Sequence, residues 1–340
     1  MPAEKNERAS IPAVDGANAG KESPHRELEV PEPSAASGDV ADAAGHQVAQ
    51  GAAAPAGAGA WFKEFGLYPF FIVLGIVGIF TLFNFLLRDD QTELDYLRQI
   101  RTSGGNNRWY AAFQLSNFIG REGEHLRQSP AFLAEVTSLF EETEDDDPRL
   151  QRYLAIVLGR VGNSSSHPPL IRALREDDDA QTRMWSAWAL GSIGETVAVP
   201  ALVGALQDSD PAVRKMSVYA LGSLNDPRSV GPLEARLADE VEDVRWNAAI
   251  ALAQLGVGSG YPILRQLVNS MYLSRVEGMT DERVKDVMLS AVKALGVLQA
   301  TYPSARDLLE ETSETAPFPL VQREARRQLD RQGSNGAADG

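Results

Sequence analysis

The chain carries four histidines, His25, His46, His125 and His167, and no cysteine. Without thiols there is no disulfide, no thiolate zinc site and no cysteine nucleophile. The histidines do not assemble a ligand set. Two stand in the first 60 residues, Glu124-His125 is solitary, and His167 opens a Pro-Pro helix start with no carboxylate beside it. No Gly-rich phosphate loop, GxSxG elbow or HExxH motif occurs. The acidic run from Glu141 to Asp147 has the charge to attract Ca²⁺ but lacks the glycine and ligand spacing of an EF-hand. It predicts a solvated turn. The residues therefore predict no catalytic constellation, no metal and no bound cofactor. Net charge is −15 over 340 residues, and residues 91–332 hold 26 basic against 34 acidic residues. Nucleic acid is not an expected partner, because phosphate contacts need clustered Lys and Arg.

What positions the remaining candidates is internal repetition. Segments 183–194 (RMWSAWALGSIG), 214–225 (RKMSVYALGSLN) and 245–256 (RWNAAIALAQLG) each start on Arg and centre on a Leu, at Leu190, Leu221 and Leu252. The spacing is 31 residues at both steps. The frame extends to Leu115 and Leu158 upstream and to Leu295 and Leu329 downstream. Before each such segment lies a second apolar run, often opened by Pro, and an acidic turn joins the two. Pro suits a first helical turn and Asp an N-cap. The position four before the central Leu is small or apolar and the position eight before it is often apolar, as one helix face requires. The pattern predicts an all-α, right-handed α-solenoid of two-helix units over 91–332, in which no unit buries its apolar face alone.

Within the second helices, aromatic residues gather in two columns. Five residues before the central Leu stand Tyr110, Tyr153 and Trp185. Two before it stand Phe113, Ile156, Trp188, Tyr219 and Ile250, with Trp109 and Trp246 six before it. Columns three apart lie on one side of a helix. Two readings stay open: these residues fill the core, or they line an apolar groove that holds a partner helix or extended segment. A second candidate is an insert. The unit ending at Leu295 is 43 residues long against 31 for its predecessor, and the extra residues carry Met271, Tyr272 and Leu273. These dock on their own repeat or on a partner.

The repeat resembles the HEAT-like repeats of the phycobilin lyase type, with the signature D-x-x-V-R-x-x-A-x-x-A-L-G. Asp210-Pro-Ala-Val-Arg214 with Ala220-Leu-Gly222 is nearly the full motif, and Asp243-Val-Arg245 and Arg183 with Ala189-Leu-Gly191 match in part. The resemblance implies a fold over about 240 residues and a structural ladder for Arg108, Arg183, Arg214 and Arg245. It says little of function, because the motif residues are structural. Two enzyme types share such repeats. For the deoxyhypusine hydroxylases the resemblance implies paired His-Glu motifs as iron ligands, and this chain lacks them.

Ahead of the repeats, residues 66–87 read GLYPFFIVLGIVGIFTLFNFLL, 22 residues without a charge. At about 1.5 Å per residue that spans about 33 Å, enough for a hydrocarbon core. The expectation is one transmembrane helix within 61–90, flanked by Trp61, Phe62, Phe65 and Tyr68 as interfacial aromatics. Residues 1–60, rich in Ala and Gly, and residues 333–340 are expected to be disordered tails. Lys63 alone stands near one end of the span, against Arg88, Arg98, Arg101 and Arg108 at the other. The positive-inside rule then puts the repeats in the cytoplasm and the N-terminal tail outside, in a bacterial inner membrane. The expected function is a non-enzymatic, membrane-anchored scaffold that gathers a protein partner, with the bilayer as a second partner through residues 66–87. The alternatives are a lyase-type or chaperone-like subunit, or an accessory subunit of a transport complex.

Overall fold

A computed structural model describes residues 68–86, 92–122, 126, 129–143, 146–162 and 164–336. The expected tail at 1–60, the last four residues of the expected tail at 333–340, and His125 lie outside them, whereas residues 333–336 continue the last helix, which corrects that end of the tail. The chain divides into two compact units, Met1–Asp90 and Gln91–Gly340. In the first, helix α1 spans Tyr68–Leu86. Its described side chains, Phe70 to Leu82, are all exposed, the Phe70 ring at 59% although it meets Phe71 edge-on. The one described hydroxyl, on Thr81, donates to the Val77 carbonyl. Among the described residues no helix is long and apolar enough to cross a membrane, which does not match the expected span at 66–87.

The second unit is a row of helical hairpins, with no strand among the described residues. The first helices are α2 (Glu93–Thr102), α4 (Pro130–Glu142), α6 (His167–Glu176), α8 (Val199–Ala205), α10 (Val230–Arg236), α12 (Tyr261–Leu267) and α15 (Pro303–Thr315). Their partners are α3 (Asn106–Glu122), α5 (Pro148–Val161), α7 (Ala180–Ile193), α9 (Pro211–Leu224), α11 (Glu242–Gln254), α14 (Asp281–Leu298) and α16 (Pro319–Gly336). A short helix, α13 (Ser270–Leu273), lies in the insert. Caps set the starts of the second helices: Asp147, Asp179 and Asp210 each accept a backbone N–H of the first turn. The second helices pack on one another in succession, more closely than the first helices do. They form the inner layer of the stack.

The inner layer is tight because of the motif's glycine. A Cβ on Gly191 would stand 2.7 Å from Ala220 Cβ and 2.8 Å from its Cα. One on Gly222 would stand 2.8 Å from Ala251 Cβ, and one on Gly159 2.8 Å from Ala189 Cα. The glycine after each central Leu thus receives the alanine before the next one, which explains why Ala-Leu-Gly recurs as a unit. Gly191→Val is expected to destabilise the fold by about 1–3 kcal/mol, the range for overpacking. Gly204, in α8, faces open space, and Gly204→Ala should gain up to about 1 kcal/mol. Chemical unfolding of the two variants checks the contrast; equal effects would contradict the close approach.

A second ladder runs through charge. Arg183 Nε and Nη2 donate to Asp208 at 2.8 and 2.9 Å, while its Nη1 donates to the Asp177 carbonyl. Arg214 repeats this one unit on, with Asp239 at 3.0 Å through both nitrogens and the Asp208 carbonyl. Arg108 pairs with Asp146 and donates to the Ile100 carbonyl. Sequence spacing missed one rung: Arg152, one residue off the Arg column, bridges to Asp179 at 2.6 Å. Burial opposes the charges on Asp179, Asp208 and Asp239, yet their hydrogen bonds to Arg and to backbone N–H groups hold all three carboxyls below the usual range. Asp177 has no such guanidinium, and burial, with the charges of Asp179 and Asp178, pushes it up.

Both ladders lapse between α11 and α14. Thirty-one residues beyond Asp239 stands Ser270, so Arg245 turns to Glu242 on its own helix. The glycine position is Ala253 there. The apolar core divides at the same place, one cluster running from Leu97 to Leu252 and another from Trp246 to Ala325. Asp243, held by Lys215 on one side and Arg283 on the other, spans the joint.

Candidate protein-docking surface

The aromatic columns do not behave as one surface. Trp188, Ile156 and Trp246 are 3%, 6% and 5% exposed and belong to the core, which corrects the groove reading for all three. Trp188 lies over Gly159 of the preceding helix, filling the space a side chain would take, and meets Trp185 edge-on at 5.8 Å. Trp246 is covered by the second cluster, with Leu264 and Leu267 of α12. Trp185, Tyr219 and Ile250 are half-buried, and no ring contact links Tyr219 to the others among those described. In the insert, Asn269 caps α13, Leu273 is fully buried and Met271 is 66% exposed. Tyr272 is half-buried. The insert therefore docks on its own repeat through Leu273.

What remains is a concentrated patch on α3 and α5. Trp109, Phe113, Ser116 and Gly120 follow helical spacing along α3; Arg149, Tyr153 and Arg160 do so along α5, on either side of the buried Ile156. The two rows face each other. Tyr153 stacks on Trp109 at 6.3 Å and meets Phe113 edge-on at 5.3 Å. Tyr110 leans on both Trp109 and Phe113 and is 51% exposed. Arg149 lies 4.6 Å over the Trp109 ring and bridges to Asp147. Offset and edge-on rings with a cation over one face form a rigid apolar platform that needs no ligand to hold it. At the other end of the seam Arg160 crosses to α3 and donates to the Ser116 carbonyl. It has no carboxylate partner among the described residues, and burial pushes its pKa down with nothing to offset it.

The candidate histidine contributes nothing similar. His167 is buried at the start of α6, its Nδ1 2.8 Å from the Ser164 carbonyl, with Glu195 the nearest carboxylate at 3.8 Å. No group of three or more His, Cys, Asp or Glu residues able to hold a metal occurs among the described residues.

With this geometry in place, comparison with known proteins is informative about architecture. Residues 136–210 and 199–277 match HEAT repeats. No curated protein matches the sequence. Among solved structures, the complex of CpcE and CpcF of phycocyanin lyase from Nostoc sp. PCC7120 matches at 19% identity, covering 71% of this chain and 94% of that one, with a TM-score of 0.48. Human deoxyhypusine hydroxylase in complex with glycerol matches at 18%, covering 70% and 94%, TM-score 0.33. A designed armadillo repeat protein matches at 17%, covering 69% and 97%, TM-score 0.37. None of these likenesses says what this chain binds. Residues 136–277 are thus matched as HEAT repeats, and they lie within the row of helical hairpins.

Proposed function

We propose that the chain is a non-enzymatic, membrane-anchored scaffold whose protein partner docks on the inner face of the repeats at α3 and α5. One observation carries the docking site. The Tyr110 ring is half in solvent, on rings already fixed by one another. A rigid, pre-formed aromatic surface loses little side-chain entropy on binding, which is the property of interface hot spots. The anchor rests on the 22 uncharged residues of 66–87 and on the outward-facing apolar side chains of α1, which water does not favour. The flanking arginines favour the repeats on the cytoplasmic side.

The full chain is expected to stay with membranes through alkaline carbonate washing. After detergent solubilisation, affinity purification should recover a partner in constant ratio. Tyr110→Ala should deplete that partner at least tenfold, as loss of a hot spot worth about 2 kcal/mol does. The melting temperature should hardly move, since exposed side chains contribute within about 0.5 kcal/mol. An unchanged set of co-purifying proteins would reject this docking site. Extraction by carbonate would reject the anchor.

A further inference from the structure

Resting on that reading of the α3/α5 seam, we propose that it binds an acidic peptide segment. An apolar side chain of the peptide lies on the Tyr110–Phe113–Tyr153 rings, and a carboxylate of the same segment meets Arg160. The seam has a cation at each end, and the two differ. Arg149 is already engaged by Asp147 and the Trp109 ring. Arg160 is half-buried, makes one described hydrogen bond, to the Ser116 carbonyl, and faces no carboxylate among the described residues. A guanidinium carries five N–H donors in a fork that matches a carboxylate, so most of its donors at Arg160 remain to be used.

The place for it is built. Its Nη1 lies 2.6 Å from where a Gly120 Cβ would stand, so the guanidinium rests against bare α3 backbone that any other residue would cover. Leaving a part-buried cation unpaired is costly. This protein does not leave its other inner arginines so: Arg108, Arg152, Arg183 and Arg214 all hold carboxylates. Tyr153 and Arg160 stand seven residues apart on one face of α5, about 10 Å along the axis. A short extended or helical segment covers that distance with an apolar and an acidic side chain. In a chain of net charge −15, an acidic partner needs such a local exception to approach at all.

The test is selection of a random twelve-residue peptide library displayed on phage against the full chain in detergent micelles. Parallel selections use Tyr110→Ala, Arg160→Gln and Gly120→Glu. The last places a carboxylate beside Arg160 within the chain, keeps the guanidinium and improves helix propensity, so it separates loss of the charge site from loss of the fold. Wild type is expected to enrich peptides with an Asp or Glu near an aromatic or large aliphatic residue. Both Arg160→Gln and Gly120→Glu should weaken a synthetic copy of the best peptide at least tenfold, and Arg160→Lys should keep part of the binding. Enriched peptides that need Tyr110 but show no acidic preference, or whose acidic preference survives both variants, would overturn this inference and leave the docking site standing. Absence of any peptide dependent on Tyr110 would overturn both.

Discussion

Truncating Trp188 to Ala is expected to cost about 3–5 kcal/mol of stability, the range for buried aromatics. In a repeat unit of this size that lowers the melting temperature by about 6–20 °C. The reason is position. The ring is 3% exposed, lies on the bare backbone of Gly159 and meets Trp185, so its removal opens a void between two inner helices that the tight ladder cannot close. Its indole N–H has no hydrogen-bond partner among the described residues, so Trp188→Phe forfeits packing but no hydrogen bond and should cost much less. Calorimetry or denaturant titration of the two variants checks this. A loss below about 1 kcal/mol for Trp188→Ala would return the ring to an open groove.

The second large effect lies in the charge ladder. Arg214 and Asp239 side chains are 6% and 3% exposed and share two hydrogen bonds of 3.0 Å. Asp239→Ala leaves the buried Arg214 guanidinium only the exposed Glu240 carboxylate and backbone carbonyls, and takes the same partner from Arg236; it should cost up to about 3–5 kcal/mol, whereas replacing Arg214 and Asp239 together with apolar residues of similar size should recover most of it. Acid gives the same answer without mutation. The Asp239 carboxyl is held below its ordinary value, as are Asp208 and Asp179. A depressed carboxyl contributes stability fully above its unfolded pKa, near about 3.9. That contribution is lost as pH falls through the lower folded value. Unfolding midpoints should therefore fall steeply below about pH 4, and less steeply in the doubly apolar variant. Identical acid profiles would show that the ladder carries no net charge coupling.

The fold was legible because a 31-residue period writes both ladders into the sequence. Arg and Ala-Leu-Gly recur at fixed places because each must meet the next unit's Asp and Ala. The site was less legible, for two reasons. A column treats all units as equivalent, but burial depends on what the neighbouring unit leaves open. Trp188 is covered because position 159 is glycine, and Trp246 because it falls in the second core cluster with Leu264 and Leu267 of the following unit. Arg160 was missed because its character lies in an absence: among the described residues no carboxylate reaches it, which only three-dimensional neighbours reveal. The one-residue offset of Arg152 hid a rung in the same way.

The equal spacing of Asp177, Asp208 and Asp239, of Arg183, Arg214 and Arg245, and of Leu190, Leu221 and Leu252 makes the middle units interchangeable. Excising residues 208–238 brings Arg183 opposite Asp239 and Gly191 opposite Ala251, so every partner in both ladders is replaced by its own equivalent. Duplicating the same stretch does the reverse. The molecule can thus change length in whole steps of one unit at its centre, with the N-terminal aromatic seam untouched, while a cut of any other length leaves an arginine and a glycine facing the wrong residue. Beyond Leu252 that freedom ends, because the step to Leu295 is 43 residues and both ladders lapse there.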